Sequence, residues 1–136
     1  MTAVTTRPLS ASTDALLRFV LRLDATLTGV AGVAAAAFAN PLSTITGLSP
    51  TTEYMLGAAF VFYGLAVYLL AGLPSLRGVG IGVSLANVVC TLATIAVVAM
   101  DVSPLTEAGI AIAMATSIYT AFFAYLQYLG VRRLRA

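Results

Sequence analysis

Long uncharged apolar stretches alternate along this chain with short segments that hold nearly all of its charged residues. The three uncharged stretches run from Tyr54 to Leu76, from Gly78 to Met100 and from Ala108 to Val131. Each is long enough to cross about 30 Å of hydrocarbon as an α-helix that rises about 1.5 Å per residue. The pattern therefore predicts three membrane-spanning helices, at about 54–73, 79–100 and 107–130.

A fourth apolar segment, at about 15–39, carries Arg18, Arg22 and Asp24 in its first part. Its uninterrupted apolar part begins at Ala25 and is short for a membrane span. Because arginine side chains near a membrane boundary extend their charged ends to the headgroups, we expect the whole segment to span. The prediction is one all-α domain, 1–136, with four transmembrane helices in an up-down bundle and tails at 1–14 and 131–136.

A cleaved signal peptide is the alternative interpretation of this first segment. Ala37-Phe38-Ala39 resembles an A-x-A cleavage site and follows an apolar core of suitable length. The region before that core holds Asp14 and Asp24, which is unusual for a signal peptide. Cleavage would leave the other three spans oriented in the same way.

The arginines fall on one side of the predicted membrane. They precede or begin the first helix, separate the second from the third, and follow the fourth: Arg7, Arg18, Arg22, Arg77, Arg132, Arg133 and Arg135. The other two loops contain no basic residue and hold Glu53, Asp101 and Glu107. Since loops rich in arginine stay in the cytoplasm, we expect both termini to be cytoplasmic.

Two nearly identical stretches, SPTTE at 49–53 and SPLTE at 103–107, lie in the loops without arginine. Serine is a favourable N-cap, proline suits the first helical position, and a glutamate in the first turn interacts favourably with the helix dipole. We expect the helix caps to be formed by Ser49, Pro50, Glu53, Ser103, Pro104 and Glu107. The recurrence predicts a duplicated helical hairpin, with parallel copies related about the membrane normal. Chance recurrence of a common cap pattern is the alternative.

Composition supports a membrane protein and excludes several kinds of activity. Apolar residues make up 60% of the chain, charged residues 9%, and the mean hydropathy is +1.01; soluble domains have about 45–50% apolar and about 25% charged residues. A net charge of +2 is too small for a nucleic-acid interface. With no histidine and a single cysteine, Cys90, the chain lacks a Ser-His-Asp triad and a cysteine-rich metal site. We expect no enzyme activity, cofactor or metal.

Asp24 is the leading candidate for a functional residue. It lies fifteen residues from Ala39, or about 23 Å along a helix, which places it near the arginine-rich boundary. Ionisable groups inside membranes are costly, so Asp24 is either a proton or cation site or the partner of an arginine or of Thr28.

Gln127, Tyr68 and Tyr125 are predicted at a similar depth, whereas Asn87 is the most deeply placed amide. We expect a polar pocket, open to the cytoplasm, formed by Asp24, Asn87, Gln127, Tyr68 and Tyr125. The alternatives are hydrogen bonds between helices for the amides and an interfacial aromatic belt for the tyrosines.

Small residues recur at four-residue spacing, as at Gly78, Gly82 and Ala86, and Gly64 is one of a similar set in the second helix. Such residues let helices approach closely in a membrane. Both packing within the bundle and a face for another chain are consistent with the spacing.

The stretch Leu21-Arg22-Leu23-Asp24-Ala25, followed by Thr28-Gly29 and Gly32, resembles the small, mostly uncharacterised four-helix integral membrane proteins common in actinobacterial genomes. The resemblance implies a four-helix fold in a bacterial plasma membrane and assigns no activity. Four short spans also resemble small multidrug exporters. Those proteins rely on an acid deep in the first helix and on tryptophan, whereas this chain has no tryptophan and Asp24 lies near one helix end.

Two functions are compatible with these features. The preferred one is a non-catalytic accessory or scaffold subunit of a membrane complex, because the loops are short and polar groups within the spans are few. The alternative is a small transporter or lipophile-binding protein that uses the pocket around Asp24. The expected partners are the lipid bilayer and another membrane protein or a second copy of the chain.

Overall fold

The computed structural model describes residues 13–134, and this part of the chain is helical and contains no strand. Its helices are α1 (Ala15–Ala37), α2 (Ala39–Thr46), α3 (Pro50–Leu70), α4 (Arg77–Met100) and α5 (Glu107–Arg132). All except α2 are long and apolar enough to cross a membrane. The predicted all-helical protein with four candidate spans is confirmed. Arg7, Arg135 and most of the tail at 1–14 lie outside the described residues.

The eight-residue helix α2 was not predicted from the hydropathy pattern. The first span ends at Ala37 rather than at residue 39, because Phe38 leaves the helical conformation before α2 begins. Pro41 is tolerated since it lies in the first turn of α2, where backbone N–H groups have no helical partner. The helix ends at Gly47, whose φ of 89° is left-handed, a conformation that glycine adopts without steric cost.

Helices α1 and α3 pack backbone against backbone. A Cβ atom added to Gly64 would lie 2.6 Å from the carbonyl oxygen of Ala25, and one added to Gly57 would lie 2.6 Å from that of Gly32. The contacting residues follow one another in opposite order along the two helices, which therefore run antiparallel. Close approach of this kind takes the place of the hydrophobic driving force that lipid does not provide.

Helices α4 and α5 are also antiparallel but contact each other through polar side chains. The Ser84 hydroxyl donates to the carbonyl oxygen of Ala124 over 3.0 Å. The hydroxyls of Thr91 and Thr120 are 2.6 Å apart. This pair of helices therefore uses hydrogen bonds in addition to one close glycine contact, in which a Cβ added to Gly80 would lie 2.6 Å from the Val131 side chain.

The two helix pairs are joined mainly through α1 and α5, whereas α3 and α4 make little direct contact. Leu17 packs against Gly130, where an added Cβ would lie 2.9 Å from the Leu17 Cα. The buried apolar core lies at this end of the bundle and consists of Leu17, Leu21, Ala25, Val67, Ala71, Leu76, Val83 and Val131. We call it the arginine end, because α1 and α4 begin there, α3 and α5 end there, and Arg18, Arg22, Arg77, Arg132 and Arg133 are on those segments.

At the opposite end, α2 connects the start of α3 to the start of α5. The backbone N–H of Thr106 donates to the carbonyl oxygen of Thr46 over 2.9 Å. The Thr46 hydroxyl donates to the Glu53 carboxylate, which is only 4% exposed. The short helix thus fixes two span ends at once.

The two SPxTE stretches adopt different structures. Ser49 caps α3 as predicted, since its hydroxyl accepts from the Thr52 N–H at 3.1 Å, and Pro50 and Glu53 lie in the first turn. In the second stretch Thr106 is the N-cap, accepting from the Gly109 N–H at 2.9 Å.

Ser103 and Pro104 therefore precede the helix, and their predicted capping role is wrong; Glu107 is the first residue of α5. The Thr106 hydroxyl also donates to the carbonyl oxygen of Ile45 in α2, which anchors the helix start at residue 106. The hairpin duplication stays a prediction.

Candidate functional site

The Asp24 side chain is fully buried, with 0% exposure, at the meeting point of the four long helices. Its carboxylate accepts hydrogen bonds from five side chains. Oδ2 accepts from Tyr63 Oη at 2.8 Å, Gln127 Nε2 at 2.8 Å and Asn87 Nδ2 at 3.1 Å, and Oδ1 accepts from Tyr119 Oη at 2.9 Å and Thr28 Oγ1 at 3.1 Å. We call these six residues the Asp24 network. Each long helix contributes at least one donor to it.

Local helix geometry brings these donors together. Tyr63 adjoins Gly64, one of the positions where α3 lies against the α1 backbone, so its hydroxyl reaches Asp24 across the contact. On α5, Tyr119 and Gln127 are two turns apart on one face, with buried Phe123 between them. They therefore reach the carboxylate from opposite sides along the helix.

The donors are also bonded to one another. Asn87 Nδ2 donates to Gln127 Oε1 over 2.9 Å, in addition to its bond to Asp24. The hydroxyls of Tyr119 and Thr28 are 3.1 Å apart and in contact, while each gives its single proton to Asp24. Because members of such a network position each other, removal of one donor is expected to disturb the rest.

Neutral groups, rather than an arginine, accompany the buried carboxylate. Between residues 13 and 134, the only ion pair joins Arg18 to Asp14 at 2.9 Å, one turn apart on α1. Of the two partners expected for Asp24, the structure therefore shows Thr28 and not an arginine. A buried carboxylate is tolerable only when hydrogen bonds replace its lost hydration, and the five donors meet that requirement.

The structure brings the two amides of the predicted pocket to Asp24 but not the two tyrosines. Asn87 and Gln127 bond directly to Asp24, but Tyr68 and Tyr125 are 47% and 59% exposed and make no contact with it. Tyr63 and Tyr119 occupy the expected positions instead. The full burial of Asp24 also means that the pocket is not open to solvent.

Tyr63 and Tyr119, which were not predicted, each lie on the side of their helix that points to Asp24. Depth in the membrane does not specify that side. Tyr63 precedes Tyr68 by five residues, which turns its side chain by about 140° around the helix. The four-residue spacing that links Tyr119 to Gln127 through Phe123 was the available signal.

The small residues differ in what surrounds them. Gly64 lies in the α1–α3 contact, as a packing role requires. Nothing lies within 4 Å of a Cβ added to Gly78 or Gly82, and Ala86 is exposed. These three residues therefore do not pack against another helix of the described part of the chain, and the face for another chain stays a prediction.

A line of polar groups continues from the Asp24 network between α4 and α5. The Thr91 hydroxyl lies 2.9 Å from the Asn87 carbonyl oxygen and the Thr120 hydroxyl 3.1 Å from the Ser117 carbonyl oxygen. Since each hydroxyl has one proton, one of the two donates to its carbonyl oxygen and the other donates across the 2.6 Å between them. The Ser117 hydroxyl is buried and has no hydrogen-bond partner among residues 13–134. The line leads away from the arginine end.

The site has no arrangement suited to a metal. Across residues 13–134, no group of three histidine, cysteine, aspartate or glutamate side chains is close enough to share an ion. The five partners of Asp24 present N–H and O–H groups to it, whereas a cation requires lone pairs.

No protein-family model, curated protein or solved structure matches the chain.

Proposed function

We propose that this protein is a non-catalytic accessory or scaffold subunit of a membrane complex, built as an up-down bundle of four spans. The observation that supports this role is the enclosure of Asp24, whose carboxylate is fully buried and accepts all five hydrogen bonds from the chain itself. A site for a substrate or coupling ion needs groups that are free to bind it. The main polar centre is instead engaged in holding the four helices together.

The surface of α4 supplies a face on which a partner helix can pack. Gly78, Gly82, Ala86 and Cys90 follow one another at four-residue spacing, and all four are exposed. Lipid chains conform to a surface of any shape, whereas a helix backbone needs small residues to approach closely. We propose that a membrane-spanning helix of a larger protein occupies this face.

Affinity purification from native membranes in a mild detergent, followed by mass spectrometry of intact complexes, tests this role. We expect one larger membrane protein at a fixed stoichiometry. Gly82→Leu should abolish its recovery, while Leu92→Phe, a bulky change at another exposed position of α4, should not. Recovery of the chain only as a monomer or homo-oligomer would contradict the proposal.

We also propose that the arginine end faces the cytoplasm of a bacterial cell, with both termini on that side. The one-sided distribution of arginine supports this orientation, and the resemblance to small actinobacterial membrane proteins supports the plasma membrane. Single cysteines introduced as Ser75→Cys and Val102→Cys in a Cys90→Ala background test it in intact cells. A membrane-impermeant maleimide should label position 102 and leave position 75 unlabelled; the reverse pattern would invert the topology.

Transport is the second candidate, favoured by the polar line that extends from the Asp24 network to the unpartnered Ser117 hydroxyl. A buried acid in a membrane segment also commonly belongs to a proton pathway. Proton flux into proteoliposomes distinguishes the two functions. Flux that Asp24→Asn abolishes in a protein that remains folded would favour transport, whereas absence of flux in the unaltered protein supports the accessory role.

A further inference from the structure

Arg22 carries a guanidinium group for which the described chain supplies no acceptor. It lies 5.2 Å from the centroid of the Tyr68 ring, and neither a hydrogen bond nor an ion pair links it to residues 13–134. Its Nε atom is buried and unpartnered. Arg18, one turn earlier on α1, donates instead to Asp14 at 2.9 Å and to the Ala71 carbonyl oxygen at 2.5 Å.

The position of Arg22 makes this lack of partners costly. Arg18 reaches the carbonyl groups that follow α3, so it marks the edge of the bundle at the arginine end. Arg22 is one helical turn deeper, by about 6 Å. A guanidinium has five N–H donors, and such groups need acceptors where water is scarce.

The surroundings of Arg22 combine an open polar site with an apolar rim. Tyr68 is exposed on α3, and Gly72 leaves space next to the guanidinium, since an added Cβ would lie 3.7 Å from Arg22 Nη2. Phe19 and Leu69 are large apolar residues that are exposed nearby in sequence on the same two helices. Since α1 and α3 are candidate membrane spans, an acceptor bound here would lie beside the lipid phase.

We propose that Arg22 and Tyr68 bind the phosphate of an anionic phospholipid headgroup at the arginine end of the bundle. Guanidinium groups bind phosphate through paired, charge-assisted hydrogen bonds, and the phenol hydroxyl of Tyr68 is a further donor. The apolar rim favours a lipid over soluble phosphate or a carboxylate from another protein. The site does not depend on the proposed accessory role, because it uses a different face of the molecule.

Native mass spectrometry of the detergent-purified full chain, titrated with phosphatidylglycerol, tests the site. We expect Arg22→Gln to weaken binding about tenfold or more, because it removes charge-assisted hydrogen bonds to the phosphate. Arg133→Gln removes the same charge from an exposed residue at the same end and is the matched control, with an expected change below about twofold. Equal losses in the two variants would overturn the proposal, because they would indicate diffuse attraction only.

Further comparisons identify the ligand. Phosphatidylcholine should bind more weakly than phosphatidylglycerol, and millimolar inorganic phosphate should not compete. Competition by inorganic phosphate, or equal affinity for the two lipids, would overturn the assignment to an anionic headgroup.

A second variant keeps the test decisive if Arg22→Gln does not fold, as judged by gel filtration and circular dichroism. Tyr68→Leu alters an exposed residue, and we expect it to fold and to weaken phosphatidylglycerol binding about threefold through loss of the cation–π contact. Unchanged affinity in folded Tyr68→Leu would contradict the site.

Discussion

Both helical hairpins of this protein contain small residues at helical spacing, but their helices pack in different ways. In the α1–α3 hairpin, Gly57 and Gly64 lie against the backbone of α1. In the α4–α5 hairpin, Gly78 and Gly82 face outward, and hydrogen bonds hold the helices together. Small residues at helical spacing permit close packing, but a matching surface must face them. On α1 that surface is provided by Gly29 and Gly32.

Gly64→Leu should have the largest effect among the substitutions that test this difference in helix packing. A Cβ at this position already lies 2.6 Å from the Ala25 carbonyl oxygen and 2.9 Å from the Gly29 Cα, and these backbone atoms cannot rotate away. We expect a loss of about 3 kcal/mol or more in the free energy of unfolding, or no folded protein. Thermal unfolding in detergent, followed by circular dichroism, measures it. A thermal midpoint equal to that of the unaltered protein would show that α1 and α3 do not depend on glycine contact.

Asn87→Leu should loosen the second hairpin through its polar contacts. The change removes donors to Asp24 and Gln127 and leaves both acceptors buried, at an expected cost of about 1–3 kcal/mol. Hydrogen exchange should increase in α4 more than in the α1–α3 contact. Cys90→Leu, at an exposed position of the same helix, is the control and should leave the exchange pattern unchanged.

Cap substitutions sharpen the comparison between the two SPxTE stretches. Ser49→Ala and Thr106→Ala each remove a hydroxyl that accepts from a first-turn N–H, and each should cost about 1 kcal/mol. Ser103→Ala should change the free energy of unfolding by less than about 0.5 kcal/mol, because Ser103 lies outside the helix. Denaturant unfolding of the three variants measures this order. Equal costs for Ser49→Ala and Ser103→Ala would restore the predicted equivalence of the two caps.

Gly82→Leu is expected to have the smallest effect on the isolated protein. No atom lies within 4 Å of an added Cβ, so the thermal midpoint should correspond to a change within about 0.5 kcal/mol. When Gly82→Leu and Gly64→Leu are measured together, the difference in their thermal midpoints shows how much a helix packed against the glycine contributes. A large destabilisation would mean that α4 packs within the bundle at this face.

Hydropathy alone predicted the spans, because a membrane requires long apolar helices whatever their packing. It also placed Gln127 at the depth of Asp24 and Asn87 deeper, and the structure brings both amides into direct contact with Asp24. Depth does not specify rotation about the helix axis. It therefore predicts Tyr68, whereas the structure has Tyr63 at Asp24.

The remaining differences arise where one segment depends on a distant one. Helix α2 is too short to produce a spanning pattern, and the residues that hold Thr106 as the cap of α5 are Ile45 and Thr46, about sixty positions earlier. Local propensity favours Ser103-Pro104 as a helix start. Contacts with α2 override that preference.

The donors of the Asp24 network are synthesised one after another, well after Asp24 itself. Its donors outside α1 follow Asp24 by 39 residues at Tyr63, 63 at Asn87, 95 at Tyr119 and 103 at Gln127. At ordinary rates of translation, about 5–20 residues per second, the acid waits roughly 5–20 s for its last partner. A nascent chain that stops before α5 retains a carboxylate that lacks two of its donors. Packing of α5 therefore completes the hydrogen bonding of Asp24, and a product interrupted before α5 retains a partly unsatisfied carboxylate between its helices.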